Sequence, residues 1–139
     1  MSSRLCLKLE TRLDELERLT VAVEDLGQRN NWPSDFIFQV NLVLEEIGIN
    51  IINHGYDNGL HEFEVTLTSE LKSLTIEIID AGKPFNPLKD APSPNLTAPL
   101  EERPIGGLGI HLICSLMDEL HYQRDGGRNR LTLVKRRDP

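Results

Sequence analysis

Cysteine is scarce in this chain, and so are long apolar runs and positive charge. Only two cysteines, Cys6 and Cys114, occur among 139 residues. Neither has another Cys or a His at metal-ligand spacing, so a zinc site is not expected. The two thiols are expected to be buried in a protein of a reducing compartment.

No apolar run approaches the ~20 residues that a membrane helix needs. The first ten residues alternate polar and apolar side chains and lack the apolar stretch of a signal peptide, so a cytoplasmic protein without a membrane partner is expected. Fifteen Lys and Arg against 22 Asp and Glu give a net charge of −7. This acidic balance argues against nucleic acid as a partner, and the short basic run 135–137 does not change it.

Hydrophobic residues make up 39% of the chain, which is typical of a globular domain, and the length predicts a single domain over 1–139. Alternating patterns predict strands at 4–10, 63–68, 73–79, 120–124 and 130–135. Helical spacing of apolar residues predicts helices at 12–29, from about 34 to 54, and from 110 to 117. The second helix should end near His54 and Gly55, where a glycine can take the left-handed conformation. This order predicts an α/β (α+β) two-layer sandwich, with a mainly antiparallel mixed sheet and helices on one face.

The second predicted helix carries the first segment with chemical potential. Glu46, Asn50 and Asn53 or His54 are spaced so that they share one face beside an apolar stripe. An Asn oxygen is a suitable Mg²⁺ ligand, and a carboxylate one turn earlier can accept a proton nearby. Taken alone, the segment is more typical of a solvated polar face that caps the helix.

The second segment lies where the strand 73–79 runs into a loop. Asp80 can accept a hydrogen bond from an exocyclic amine such as that of adenine, and Gly82 would let a flat ring approach the backbone. An ordinary Asp-x-Gly turn has the same pattern.

The third segment is a glycine cluster at 106–109 that leads directly into a helix. Backbone N–H groups at a helix N-terminus bind anions such as phosphate, although a flexible entry to a helix has the same sequence. The glycine spacing matches neither the P-loop nor the dinucleotide-binding pattern. Six prolines fall between residues 83 and 105, directly before this cluster, where a lid would be placed.

In this order the three segments resemble the N, G1 and G2 boxes of the GHKL (Bergerat-fold) ATP-binding superfamily. They are most similar to those of the small anti-sigma-factor serine kinases of the RsbW/SpoIIAB type. The matching residues are, box by box, Glu46, Asn50, His54, Gly55 and Tyr56; Asp80, Gly82, Pro84 and Phe85; and Gly107, Leu108, Gly109 and Ile110. The resemblance covers nearly the whole chain and implies the Bergerat fold.

The resemblance also implies a role for each matching residue. Glu46 would be the general base, Asn50 would hold Mg²⁺ at the phosphates, and Asp80 would bind the adenine amine. The rest of the expected nucleotide site consists of Asn53, His54, Gly82, Pro84, Phe85, Gly106, Gly107, Leu108, Gly109, Ile110 and Thr132. Glu45 would point about 100° away from Glu46 on the helix, which favours Glu46 as the base.

The activity that the resemblance implies is that of an ATP- and Mg²⁺-dependent serine/threonine-protein kinase. Its substrate would be a STAS-domain anti-sigma-factor antagonist, and the same domain would sequester a sigma factor, as a homodimer. The alternative is a non-catalytic module that binds ATP or ADP and thereby controls its affinity for a partner protein.

Overall fold

The computed structural model describes residues 3–56, 59–86 and 107–138, with only the backbone of 107–110. The strands are β1 (Ser3–Glu10), β2 (Glu62–Ser69), β3 (Ser73–Asp80), β4 (Glu119–Asp125) and β5 (Arg128–Arg136). The α-helices are α1 (Leu16–Arg29), α2 (Ser34–His54) and α3 (Gly107–Leu116), and a short 3₁₀ helix (Leu13–Glu15) precedes α1. The order of elements therefore agrees with the prediction.

The five strands form one sheet in the order β1-β2-β3-β5-β4, and each neighbouring pair is antiparallel. The sheet of the described residues is thus fully antiparallel rather than mixed. Strands β4 and β5 are joined at Gly126 and Gly127, whose φ angles of 59° and 77° match a tight hairpin turn. The predicted α+β sandwich is confirmed, with this refinement of the sheet.

The core lies between one face of the sheet and the helices, as the alternation along the strands dictates. In β2 every second residue from Phe63 to Ser69 is buried, and in β3 every second residue from Leu74 to Asp80 is buried. Helix α2 lies between α1 and α3 and contributes the largest number of buried helical residues. This central position brings the polar residues of α2 close to the ends of β3 and β5.

Two local expectations prove wrong. Cys6 and Cys114 are both exposed free thiols, because Cys6 lies on the sheet face turned away from the helices and Cys114 on the outer side of α3. Helix α2 ends at His54 as predicted, but Gly55 has φ −73° and ψ −27°, which is right-handed. The Gly55 N–H still donates to the Ile51 carbonyl at 2.9 Å, so the helical geometry extends to the cap.

A pocket between α2 and the sheet

A pocket opens at the point where the C-terminal half of α2 faces the ends of β3 and β5. The centre of a water-sized sphere can occupy about 70 Å³ of it, and the whole hollow, including space open to solvent, measures about 610 Å³. Its walls are mainly apolar, with a few polar groups. The lining residues are Ile47, Asn50, Ile51, His54, Gly55, Ile78, Asp80, Phe85, Tyr122, Asn129 and Leu131.

Helix α2 presents one face to the pocket. Ile47, Asn50, Ile51 and His54 recur at helical spacing and all line it. The half-exposed Glu46 lies one turn before Asn50, beside the pocket rather than in its wall. The structure therefore brings Asn50 and His54 to the predicted site and places Glu46 next to it.

Two other predicted residues do not reach the pocket. Asn53 is exposed on α2 and is absent from the pocket wall, although the neighbouring His54 lines it. Pro84 is also exposed and outside the wall, whereas Phe85, 37% exposed, lines the pocket. For both pairs, adjacent residues point in different directions, which a sequence motif does not reveal.

Asp80 ends β3 and is buried, with 8% of its surface exposed. The Gly82 N–H donates to Asp80 Oδ1 at 2.9 Å, so the turn after the strand holds the carboxylate. An ionised group at this depth requires such hydrogen bonds to offset its loss of hydration.

Gly82 lies in close contact with the backbone at the end of α2. A Cβ at this position would collide with the carbonyl oxygen of Gly55 and would come within 2.9 Å of Asp80 Oδ1. The Lys83 N–H donates to the same Gly55 carbonyl at 2.8 Å. Gly82 therefore makes room for the backbone at the end of α2, and this contact joins the helix end to the β3 turn.

Tyr56 forms a second connection between α2 and the turn. Its hydroxyl oxygen accepts a hydrogen bond from the Ala81 N–H at 3.0 Å, and its ring stacks on His61 at 4.0 Å. Burial raises the pKa of Tyr56, with the charge of Asp80 adding to the effect and the Ala81 hydrogen bond opposing it. The hydroxyl is therefore neutral at physiological pH and supports the turn that carries Asp80.

The glycine cluster lies partly outside the described residues, and Gly106 falls there completely. Gly107, Leu108, Gly109 and Ile110 form the first turn of α3, as the motif predicts for glycines that run into a helix. Free backbone N–H groups at such a first turn are suited to bind an anion.

Thr132 does not lie in the pocket. It pairs with Glu77 and His121 on the sheet face turned away from the helices, one residue out of phase with the pocket-lining Leu131. The expectation for Thr132 is therefore wrong, because side chains alternate between the two faces of a strand.

The sequence reasoning missed Asn129, which lines the pocket and donates from Nδ2 to Asp80 Oδ1 at 3.0 Å. A signal for it was present. Leu131 and Leu133 mark the odd-numbered positions of β5 as the buried face, and Asn129 continues the same series. Tyr122 on β4 was missed as well, and it lines the pocket beside Asn129.

No group of three or more His, Cys, Asp or Glu side chains in 3–56, 59–86 and 107–138 is placed to hold a metal ion. In the same part of the chain, no helix has the length and apolar character needed to cross a membrane.

The sequence matches one protein-family model and is similar to protein kinases of known name. The model of the histidine kinase-like ATPase domain matches residues 9–135. The chain is 30% identical over 118 residues to the serine/threonine-protein kinase BtrW of Bordetella bronchiseptica, covering 84% of this chain and 82% of BtrW. It is 26% identical over 124 residues to the serine-protein kinase RsbW of Bacillus thuringiensis, covering 87% of this chain and 78% of RsbW.

The fold is also similar to a solved structure, that of the RsbU and RsbW domains of Rv1364c from Mycobacterium tuberculosis. The TM-score is 0.64 and the sequence identity 14%, over 96% of this chain. This chain spans 32% of that longer protein, so the likeness concerns the fold of one part of it.

Proposed function

The chain belongs to the histidine kinase-like ATPase domain family, and on that premise we propose that it transfers the γ-phosphoryl group of ATP to a serine or threonine of a partner protein. The observation that carries this proposal is the pocket in which a buried carboxylate, Asp80, and a carboxamide, Asn50, share a largely apolar wall. The relatives named as serine and serine/threonine-protein kinases support the choice of reaction.

Asp80 is the group that would read the base. Ile78 and Leu131 would supply apolar walls for a flat ring, and Asp80, which lines the same pocket, would supply a hydrogen-bond acceptor. The 6-amino group of adenine is a donor, whereas guanine presents an oxygen at the corresponding position. A carboxylate therefore favours adenine, because guanine would place two acceptors against each other.

Asn50 is the residue that would hold Mg²⁺. Its side chain lines the pocket, and among the described residues it makes no hydrogen bond, so its oxygen is available for a ligand. Magnesium commonly uses one or two protein ligands and completes its shell with phosphate oxygens and water, so a single Asn fits. The ion, when bound, would neutralise charge on the phosphates. The N–H groups at the start of α3 would bind phosphate oxygens.

Glu46 is the proposed general base. It lies one turn before Asn50, half exposed beside the pocket, where a hydroxyl from a partner protein can reach it. Glu45 instead borders a groove between α1 and α2, away from the pocket. Position thus favours Glu46 over its neighbour for accepting the proton of the attacking hydroxyl.

The proposed protein substrate is a STAS-domain anti-sigma-factor antagonist. Phosphorylation of the antagonist would release the kinase to hold a sigma factor, and we propose that the kinase does so in the cytoplasm as a homodimer. The support for these partners is the similarity to RsbW over most of both chains.

Two variants test the site. Calorimetric titration with ATP and ADP, with and without Mg²⁺, should show Mg²⁺-dependent binding that Asn50→Ala weakens. Glu46→Gln should bind ATP as the wild type does but transfer phosphate to a purified STAS-domain antagonist ~10²–10⁴-fold more slowly. Glu45→Gln is the matched control and should retain transfer.

Each failure has a distinct meaning. Wild-type transfer by Glu46→Gln would refute its role as the base. ATP binding without transfer by the wild type, to any antagonist from the same genome, would favour the non-catalytic module. Absence of ATP binding by folded protein would refute the nucleotide site as a whole.

A further inference from the structure

Asn129 is a buried carboxamide directly beside the carboxylate proposed to read the base. It is 6% exposed, and its Cα is the register partner of Asp80 in the β3–β5 pair. Its Nδ2 group donates two hydrogen bonds, to Asp80 Oδ1 at 3.0 Å and to the Lys83 carbonyl at 2.8 Å. Both donor hydrogens of the amide are therefore used on the β3 turn.

The other end of the amide faces only donors. Asn129 Oδ1 accepts from the Tyr122 hydroxyl, from Arg124 Nη1 at 3.2 Å and from the Phe85 N–H at 3.4 Å. A reversed amide would set its oxygen against the Asp80 carboxylate and the Lys83 carbonyl. Its NH₂ group would then face the donors. The network thus fixes the orientation of the side chain.

Arg124 connects the same hairpin to the turn a second time. Its Nη1 donates to the Gly82 carbonyl at 2.8 Å as well as to Asn129. The β4–β5 hairpin therefore holds the segment from Asp80 to Phe85 through two side chains. If Asn129 served only to pack the pocket wall, an apolar residue would suffice and would need no polar partners. Asn129 instead has five of them, which indicates a role in positioning its neighbours.

These contacts make the two carboxylate oxygens of Asp80 unequal. Oδ1 accepts from both Gly82 N–H and Asn129 Nδ2. Both hydrogen bonds that the Asp80 side chain accepts from the described residues end on Oδ1, and neither ends on Oδ2. One oxygen is therefore committed to the protein, and the other remains as the acceptor that a ligand in the pocket can use.

We propose that Asn129 is a positioning residue for base recognition: it fixes the Asp80 carboxylate so that one oxygen is directed to the exocyclic amine of adenine. The inference rests on the proposed function, since it names a residue that acts through Asp80 on the same ligand. Asn129 does not itself bind the amine, because its one acceptor, Oδ1, already accepts from Tyr122, Arg124 and the Phe85 N–H.

The test compares ATP with purine riboside triphosphate, in which hydrogen replaces the 6-amino group. The wild type should prefer ATP. Asn129→Ala should weaken ATP binding roughly tenfold, as expected for loss of a hydrogen bond to a charged group, and should leave the affinity for the analogue nearly unchanged. Thr132→Ala, on the same strand but on the opposite face, is the matched control and should retain the preference.

Asn129→Asp is the second variant, and it keeps the shape of the side chain. It retains acceptors for Tyr122 and Arg124 but replaces the donor to Asp80 with a carboxylate oxygen. It should lose the preference for ATP at least as completely as Asn129→Ala, in samples whose folding is verified by thermal unfolding.

Equal loss of affinity for ATP and the analogue in both variants would overturn the inference, because a general loosening of the pocket does not distinguish the two ligands. Retained preference for ATP in both variants would overturn it as well. If the wild type binds ATP without preferring it to the analogue, the proposed base recognition by Asp80 itself fails, independently of Asn129.

Discussion

Replacing Gly82 with alanine tests the contact that joins α2 to the β3 turn. The added methyl group would collide with the Gly55 carbonyl oxygen, and the Gly55 carbonyl carbon would lie 3.0 Å away. Both are backbone atoms, so no side-chain rotation relieves the collision. The turn must move away from the end of α2 by roughly 1 Å to restore an ordinary van der Waals distance.

The magnitude follows from what this displacement breaks. The hydrogen bond from the Lys83 N–H to the Gly55 carbonyl is 2.8 Å long and would be lost, at about 0.5–1.5 kcal/mol. Overpacking of a tight contact adds about 1–3 kcal/mol. Together these give a loss of ~1.5–4.5 kcal/mol in the free energy of unfolding. The melting temperature should fall by roughly 5–13 °C for a chain of this size.

Nucleotide binding should fall with stability, because the same methyl group would lie 2.9 Å from Asp80 Oδ1 and displace the carboxylate. A displacement that costs about 1.4 kcal/mol of binding energy weakens the affinity for ATP tenfold. Thermal unfolding measures the first effect, and calorimetric titration with ATP measures the second.

Gly48→Ala is the matched control, since it makes the same chemical change in α2. Its Cβ would lie 2.6 Å from Leu16 Cδ2, the flexible end of a side chain that can turn aside. Alanine also favours a helix interior over glycine by about 1 kcal/mol, which offsets that adjustment. Melting and ATP binding by Gly82→Ala like those of the wild type, or greater damage from Gly48→Ala, would refute this role of Gly82.

Two further predictions concern stability. The backbone N–H of Glu10 and the guanidinium of Arg18 lower the pKa of Glu15 from its usual 4.5, so its contribution to stability is present above that pH and is lost as the pH falls through the lowered value. The melting temperature of Glu15→Gln should therefore decline less than that of the wild type between about pH 5 and pH 3, and parallel declines would contradict this. Ser69→Ala should lower the free energy of unfolding by about 1 kcal/mol, because it leaves the buried Trp32 Nε1–H without the Ser69 Oγ acceptor at 3.3 Å. Ser73→Ala, in the next strand, is the control. Equal melting temperatures of the two variants would exclude a contribution from this bond.

The sequence was informative wherever the pattern is local. The apolar stripe of α2 and the alternation in β2 and β3 follow from helical and strand periodicities, which neighbouring residues express directly. The spacing of Glu46 and Asn50 on one helix face, and the position of Asp80 at a strand end, were readable for the same reason. The resemblance to a known superfamily added the nucleotide and the reaction, which periodicity does not supply.

The sequence by itself thus determined the order of the elements, the α+β class, the shared helix face of Glu46 and Asn50, and the position of Asp80 at a strand end. Only the tertiary structure decided that Asn129, and not Thr132, stands beside Asp80, and that Gly82 makes room for Gly55. The physical reason is that alternation fixes which side chains share a face of one strand. Which residue of β5 lies opposite Asp80, 49 positions earlier, depends on the register between distant strands and on how closely α2 packs on the sheet.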